Sequence, residues 1–180
     1  MRILWLLEEI GSDYELEVIE KGTPLMDALN PVAHVPSLRD GRVKMHETGA
    51  MTEWICETRA PHLWRSPGSE GRAGWLDWLH FGETLAVYVA AVQRQNAKKT
   101  TVQPPLEEAQ RLEHALCLLE GWLADSEWLL SGFSGADCHV GYSVWIASHV
   151  AGLEHHPELE AYLSRCCARD AFRRAEMLSD

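Results

Sequence analysis

Strand-like alternation in this chain stops before residue 47, and everything beyond residue 70 carries the 3-4 spacing of helices. That switch of period limits the fold more than any other feature. A period of two lines alternate side chains on one face of a sheet, whereas a period near 3.6 gathers positions i, i+3 and i+4 on one face of a helix. Between the two regimes lies Pro61-His62-Leu63-Trp64-Arg65-Ser66-Pro67-Gly68-Ser69-Glu70, a stretch rich in Pro, Gly and Ser. Such residues break both periods, so a boundary is expected there, with one unit over 1–60, a linker over 61–70 and an all-helical unit over 71–180.

The first unit opens with a helix over 2–10, where Ile3, Leu6, Leu7 and Ile10 share a face and Gly11 is the expected stop. Residues 13–20 change period: Tyr14, Leu16 and Val18 alternate with Glu15, Glu17 and Glu20, which predicts a strand with one buried face. A loop with Gly22 and Pro24 leads to two short strands, Val35–Arg39 and Arg42–His46, joined through Asp40-Gly41. Asp-Gly favours a two-residue hairpin turn because its residues tolerate positive φ. A helix from Thr48 to about Arg59 completes the unit.

Beyond the linker the pattern predicts helices over 71–98, after Pro104-Pro105, from about Ala136 and from about Pro157. The second carries Ala109, Leu112, Leu116, Leu119 and Leu123 on one stripe. The third has Val140, Val144, Ala147 and Ala151 on one side and Ile146 and Val150 on another, so burial all round is expected. Ser134-Gly135-Ala136-Asp137 stands ahead of it as a capping box, with Ser134 worth roughly 1 kcal/mol as a helix cap.

Composition narrows the partners. With 16 basic against 27 acidic residues the net charge is −11, a surface that repels phosphate backbones and anionic lipid. Nucleic acid and membrane are therefore not expected as partners. No signal peptide is visible at Met1-Arg2, and no run approaches the ~20 apolar residues of a spanning helix. The five cysteines are odd in number and scattered through helices, so no disulfide framework is read and a reducing cytoplasm is the expected location. Adjacent Cys166 and Cys167 point about 100° apart on a helix, which reads as one packed and one half-exposed thiol. The nine histidines, including His139, His149 and the adjacent His155-His156, show no metal-ligand spacing, and no metal is expected.

Three segments carry a family resemblance. Asn30-Pro31-Val32-Ala33-His34-Val35-Pro36-Ser37-Leu38, ahead of Asp40-Gly41, is similar to the Asn-Pro-x-x-x-Val-Pro-x-Leu segment of the glutathione transferase superfamily. Glu47-Thr48, followed by Gly49-Ala50-Met51, resembles its Glu-Ser pair at a helix start, and the Ser134 box resembles its Ser/Thr-x-x-Asp box. Arg2–Gly11 looks like the family's first helix, and the region from His156 to Phe172 its closing helices, although Asp170 stands where the family usually has Pro. Taken alone, Thr48 would be an ordinary helix cap and Pro36 the start of an edge strand.

The resemblance implies an N-terminal thioredoxin-like unit of α+β class on an all-α C-terminal bundle. It implies a cytosolic homodimer with glutathione as co-substrate and a small apolar electrophile as second substrate. In the family the Val-Pro bond is cis, which presents the backbone of the preceding residue, here Val35, to an extended peptide. The Glu-Ser pair grips the γ-glutamyl end of glutathione: the α-carboxylate meets the helix N-terminus beside Thr48, and Glu47 faces the α-ammonium. His34 stands where a basic or polar group meets the glycyl carboxylate. Trp75, Trp78 and Phe81, with Leu85 and Tyr88, belong to the helix that borders the electrophile site, although such a stripe also suits core or dimer contact.

Family members begin with a strand and a loop bearing a catalytic Tyr, Ser or Cys, and this sequence enters the pattern inside the helix that follows. The resemblance thus implies a unit without its first strand, with unpaired inner edges on 13–20 and 35–39. It matches no residue to the catalytic hydroxyl or thiol. Three functions stay open: glutathione transfer, a non-catalytic binding or scaffold protein, and a repurposed fold acting on another small molecule without glutathione.

Overall fold

The structure is a computed structural model, and it describes residues 1–19, 35–97 and 106–179. In chain order these form α1 (Arg2–Glu9), β1 (Leu38–Asp40), β2 (Val43–Met45), α2 (Thr48–Arg59), α3 (Arg72–Ala97), α4 (Leu106–Leu123), α5 (Gly135–Val150), α6 (Pro157–Cys167) and α7 (Asp170–Met177). A single 3₁₀ turn, Pro61–Leu63, follows α2 within the expected linker and buries Leu63.

α1 ends as its sequence predicts. Gly11 takes φ +59°, and its N–H and that of Ser12 donate to the carbonyls of Glu8 (3.3 Å) and Leu7 (3.1 Å). This double closure satisfies carbonyls that the helix end would leave unpaired, at a φ that glycine adopts without strain. The hairpin pairs Leu38 with Met45 and Asp40 with Val43, so its turn residues are Gly41 and Arg42, one step later than the sequence reading.

Residues 13–19 correct that reading further: they form no strand. Leu16 is 45% and Val18 86% exposed, so the alternation has no core to face. A strand is held by a ladder to a neighbour. Among the described residues the one sheet is the two-stranded hairpin, and nothing pairs with 13–19. Tyr14 instead donates its hydroxyl to Glu8 (2.6 Å) and folds back on α1. Residue 20 and the segment through His34 lie outside the described residues.

α5 runs through the middle. Residues 135–141 are buried on every side, but the expected all-round burial ends there: Ile146 and Val150 are half-buried and Ala151 is exposed. α3 crosses α5 at Gly82, where a Cβ would stand 2.6 Å from the His139 ring, so only glycine permits this approach. The stripe on α4 buries Leu112, Leu116, Leu119 and Leu123 but leaves Ala109 exposed. The expected last helix is two, because α6 closes at Cys167 and the chain turns at Ala168-Arg169 before α7.

α1 packs on α5 and α7. Trp5 is fully buried and meets Phe172 edge-on, with ring centres 4.9 Å apart. Full burial of a side chain of this size stabilises by about 2–3 kcal/mol. Arg169 closes the contact through Glu9, and Arg174 through Glu8. Cys166 is buried and Cys167 half-buried.

Candidate functional site

The candidate site gathers at the N-terminus of α2. The hairpin delivers the chain to His46 and Glu47, and Glu47 caps the helix in an extended conformation (φ −98°, ψ 124°) without a side-chain cap bond. The first intrahelical bond is Met51 N–H to the Glu47 carbonyl (2.9 Å). The amides ahead of it in the first turn point outward with the positive end of the helix dipole behind them, an arrangement suited to an anion. Glu47 is exposed beside them.

Thr48 does not stand free. Its hydroxyl makes a very short bond to Glu83 Oε1, and Arg2 Nη1 reaches the same hydroxyl (3.3 Å). Arg2 comes from the first turn of α1, Glu83 from α3, and His139 and Ser143 from α5. Arg2 Nη1 also meets Glu83 Oε2 at 3.0 Å, while Nη2 donates to Ser143 Oγ (2.7 Å) and the Gly82 carbonyl (3.2 Å). His139 Nε2 lies 2.9 Å from Glu83 Oε1, and its Nδ1 lies 3.4 Å from Thr52 Oγ. Nε2–H donating to Glu83 suits the shorter contact, while the Thr52 hydroxyl gives its own proton to the Thr48 carbonyl (2.9 Å) and Arg2 Nη1 lies 3.3 Å from Nε2.

Burial divides the cluster. Arg2 is 8% exposed and His139 0%, whereas the Glu83 side chain is 39% exposed and faces the open side. Burial pushes the Glu83 carboxyl up, but hydrogen bonds from His139 and Thr48 and the charge of Arg2 outweigh it, so the group stays well below the usual carboxylate range. Burial, with help from Arg2, lowers His139 despite its bond to Glu83. The result is a fixed cation and anion around one hydroxyl, with neutral imidazole behind them.

The remaining sequence-derived residues fall as follows. The Val35–Pro36 peptide is cis, Val35 is 56% exposed, and Pro36 is half-buried. His34 lies outside the described residues. Trp75 does not form the expected wall: its ring is completely buried, and its N–H donates to the Leu63 carbonyl (3.0 Å). Trp78 is 5% exposed and packs edge-on against Phe81 and Trp122. Phe81 is half-buried and is the most accessible ring of the three.

Sequence reasoning missed Arg2, Glu83, His139, Thr52 and Ser143. A signal was present. Arg2 precedes the apolar face of α1, and His139 sits in a helix read as buried all round; a charged or polar group in such a place demands partners. Nothing in the spacing said which.

The family model described as "Glutathione S-transferase, N-terminal domain" matches residues 1–62. A rice protein (Oryza sativa subsp. japonica), "Probable glutathione S-transferase GSTF1", is 26% identical over 194 residues, covering 96% of this chain and 88% of its own. "Glutathione S-transferase 1" of Zea mays is also 26% identical, over 191 residues, with the same coverage. Among solved structures, a glutathione transferase family member from Pseudomonas fluorescens, with two glutathione bound, superposes with a TM-score of 0.87 at 21% identity and covers 97% of this chain and 86% of its own. The transferase URE2P6 from Phanerochaete chrysosporium, in complex with oxidized glutathione, gives 0.87 at 19% identity, covering 98% and 89%. The shared fold is a thioredoxin-like unit, of which the described residues hold the hairpin and its flanking helices, joined to an all-helical unit. Residues 1–62 match the family's N-terminal domain, curated relatives align along nearly the whole length at 26% identity, and the solved structures share the fold: the chain is similar to the glutathione S-transferases.

Proposed function

We propose that this chain binds glutathione at the N-terminus of α2 and transfers it to a small apolar electrophile. The observation that carries the reading is the uncapped first turn of α2 with Glu47 exposed beside it and Arg2 and Glu83 meeting at Thr48. An amino-acid headgroup carries a carboxylate and an ammonium. The free amides and Arg2 favour the first, and Glu47 and Glu83 the second. Val35, beside Pro36, offers exposed backbone for the peptide portion, and the family resemblance gives His34 the glycyl carboxylate as its partner. Phe81, backed by Trp78, borders the electrophile. In the reaction the glutathione thiolate forms a carbon–sulfur bond as the leaving group departs with its electron pair. The catalytic hydroxyl or thiol is not assigned to any residue of this chain. The reading includes a homodimer and a cytoplasmic setting; among the described residues no helix is long and apolar enough to cross a membrane.

A second reading is a binding protein without transfer chemistry, or a pocket turned to another small molecule. It is favoured by the Thr48 hydroxyl being already engaged by Glu83 and by the burial of Trp75. Calorimetric titration with glutathione, with Glu47→Ala as control, separates them. Binding that Glu47→Ala weakens supports the first reading and warrants a screen of electrophiles. A folded chain that takes no glutathione removes that reading and leaves the second.

A further inference from the structure

Glu113 and Cys117 stand one turn apart on the exposed face of α4, and the N-cap residue of α6, His156, meets them from across the helix packing. Glu113 Oε1 is 3.6 Å from Cys117 Sγ and 3.4 Å from His156 Nε2, and the three donor atoms all lie within 4.8 Å of one another. Among the described residues this is the one group of three potential metal donors held so close. We propose that it is a binding site for a zinc-like divalent cation, with Glu113, Cys117 and His156 as ligands and water in the fourth position.

The two edges from Glu113 Oε1 match those of a tetrahedral ion, and the third, between Cys117 Sγ and His156 Nε2, is within 4.8 Å. Ordinary zinc bonds of about 2.3 Å to sulfur and about 2.0–2.1 Å to nitrogen and oxygen give edges of about 3.3 Å between oxygen and nitrogen and about 3.5 Å between oxygen and sulfur. The two measured edges differ from these by little more than a tenth of an ångström. Mixed nitrogen, thiolate and carboxylate donors suit zinc better than magnesium or calcium, which take oxygen alone. A carboxylate and a thiolate together balance a double positive charge.

The support around the site is built. His156 is 5% exposed. Its N–H donates to the Leu153 carbonyl (2.8 Å), and its own carbonyl accepts from Glu160 N–H (3.0 Å). The Glu120 carboxylate, one turn beyond Cys117, accepts the N–H groups of Glu158 (3.0 Å) and Leu159 (2.9 Å) and pins the start of α6 to α4. The imidazole is therefore presented by a fixed backbone, while Glu113 and Cys117 keep an open path for the ion. Spacing along the chain gave no sign of the site, because His156 lies far from the other two and reaches them only through packing. The inference is independent of the glutathione reading.

The test is titration of the reduced, chelator-treated, untagged protein with cobalt(II) and then zinc chloride, followed by absorbance and calorimetry. The expected result is saturable one-to-one binding, a thiolate-to-cobalt charge-transfer band, and displacement of cobalt by zinc. Cys117→Ser is expected to abolish the band, and Glu113→Gln and His156→Gln to weaken zinc by at least about tenfold. Cys167→Ser, which alters the other accessible thiol, is expected to keep the band. Because Glu113 and Cys117 are exposed, their variants test the site even where His156→Gln alters folding, and circular dichroism checks each fold. Absence of one-to-one binding, or a band that survives Cys117→Ser, would overturn the proposal.

Discussion

Two carboxylates, Asp137 and Glu83, each collect a ring of donors, and they do so by opposite routes. Asp137 is satisfied mainly from close by in the chain. It accepts from the N–H of Leu129 (3.1 Å), the N–H and hydroxyl of Ser134 (2.8 and 3.1 Å) and the Tyr162 hydroxyl (3.2 Å). With the Ser134 hydroxyl taking the Ala136 N–H (3.3 Å), this is the capping box of α5, closed to solvent. Glu83 is satisfied from three other helices, by Arg2, Thr48 and His139, and keeps one side open. A local ring like the first serves folding. A ring assembled from distant helices and left ajar is where a ligand can compete for a partner.

The comparison is most sharply tested by removing each centre. Asp137→Ala deletes the box and orphans buried amides and a buried hydroxyl, and a loss of about 4 kcal/mol in urea unfolding is expected. Glutathione affinity of the protein that remains folded is expected to hold. Arg2→Met, by contrast, is expected to cost about 2 kcal/mol, because solvent reaching Glu83 replaces part of what the guanidinium supplied, and to weaken glutathione binding. If Asp137→Ala abolished binding in folded protein while Arg2→Met left it untouched, the division of roles would be reversed.

Ser134→Ala touches the local ring alone. A loss of about 1 kcal/mol is expected from thermal or urea unfolding, with no change in ligand affinity.

Acid separates the two rings by sign. Burial outweighs the donors around Asp137 and raises its carboxyl to about 6 from an ordinary 3.8. The folded chain then holds the proton more tightly than the unfolded one, so this group makes stability fall as pH rises from about 4 to about 6. His139 is lowered from its ordinary 6.5. Its folded form binds fewer protons, so its contribution is complete above that value and is lost as pH falls below it. Glu83, also lowered, adds a loss of the same sign once pH drops below its ordinary 4.5. Urea stability of His139→Gln should therefore decline less than that of the parent between roughly pH 7 and 5. An equal decline would remove His139 as a source of acid sensitivity.

The smallest effect is expected for Thr48→Ser, which keeps the hydroxyl between Arg2 and Glu83 and removes a methyl group. Stability should change by less than about 0.5 kcal/mol, and glutathione affinity, by calorimetry, should be at least that of the parent.

The sequence by itself determined what short-range chemistry controls. The apolar spacing of α1 and its Gly11 stop, the hairpin around Gly41, the start of α2 at Thr48 and the Ser134–Asp137 box all follow from residues a few positions apart. They appear within a residue or so of where the pattern puts them. The alternation over 13–19 shows the limit of such reading: it describes a side chain's readiness for a sheet, while the ladder must come from elsewhere in the chain. The break between α6 and α7 was hidden for a related reason, since the apolar positions run on through a turn at Ala168-Arg169. Only the tertiary structure decided that Arg2 enters between α3 and α5, that Trp75 is core, and that His156 reaches Glu113 and Cys117. Periodicity gives each helix a face, but a buried polar side chain is stabilised by a partner tens of residues away, and the partner is set by which helices approach closely enough, as α3 and α5 do at Gly82.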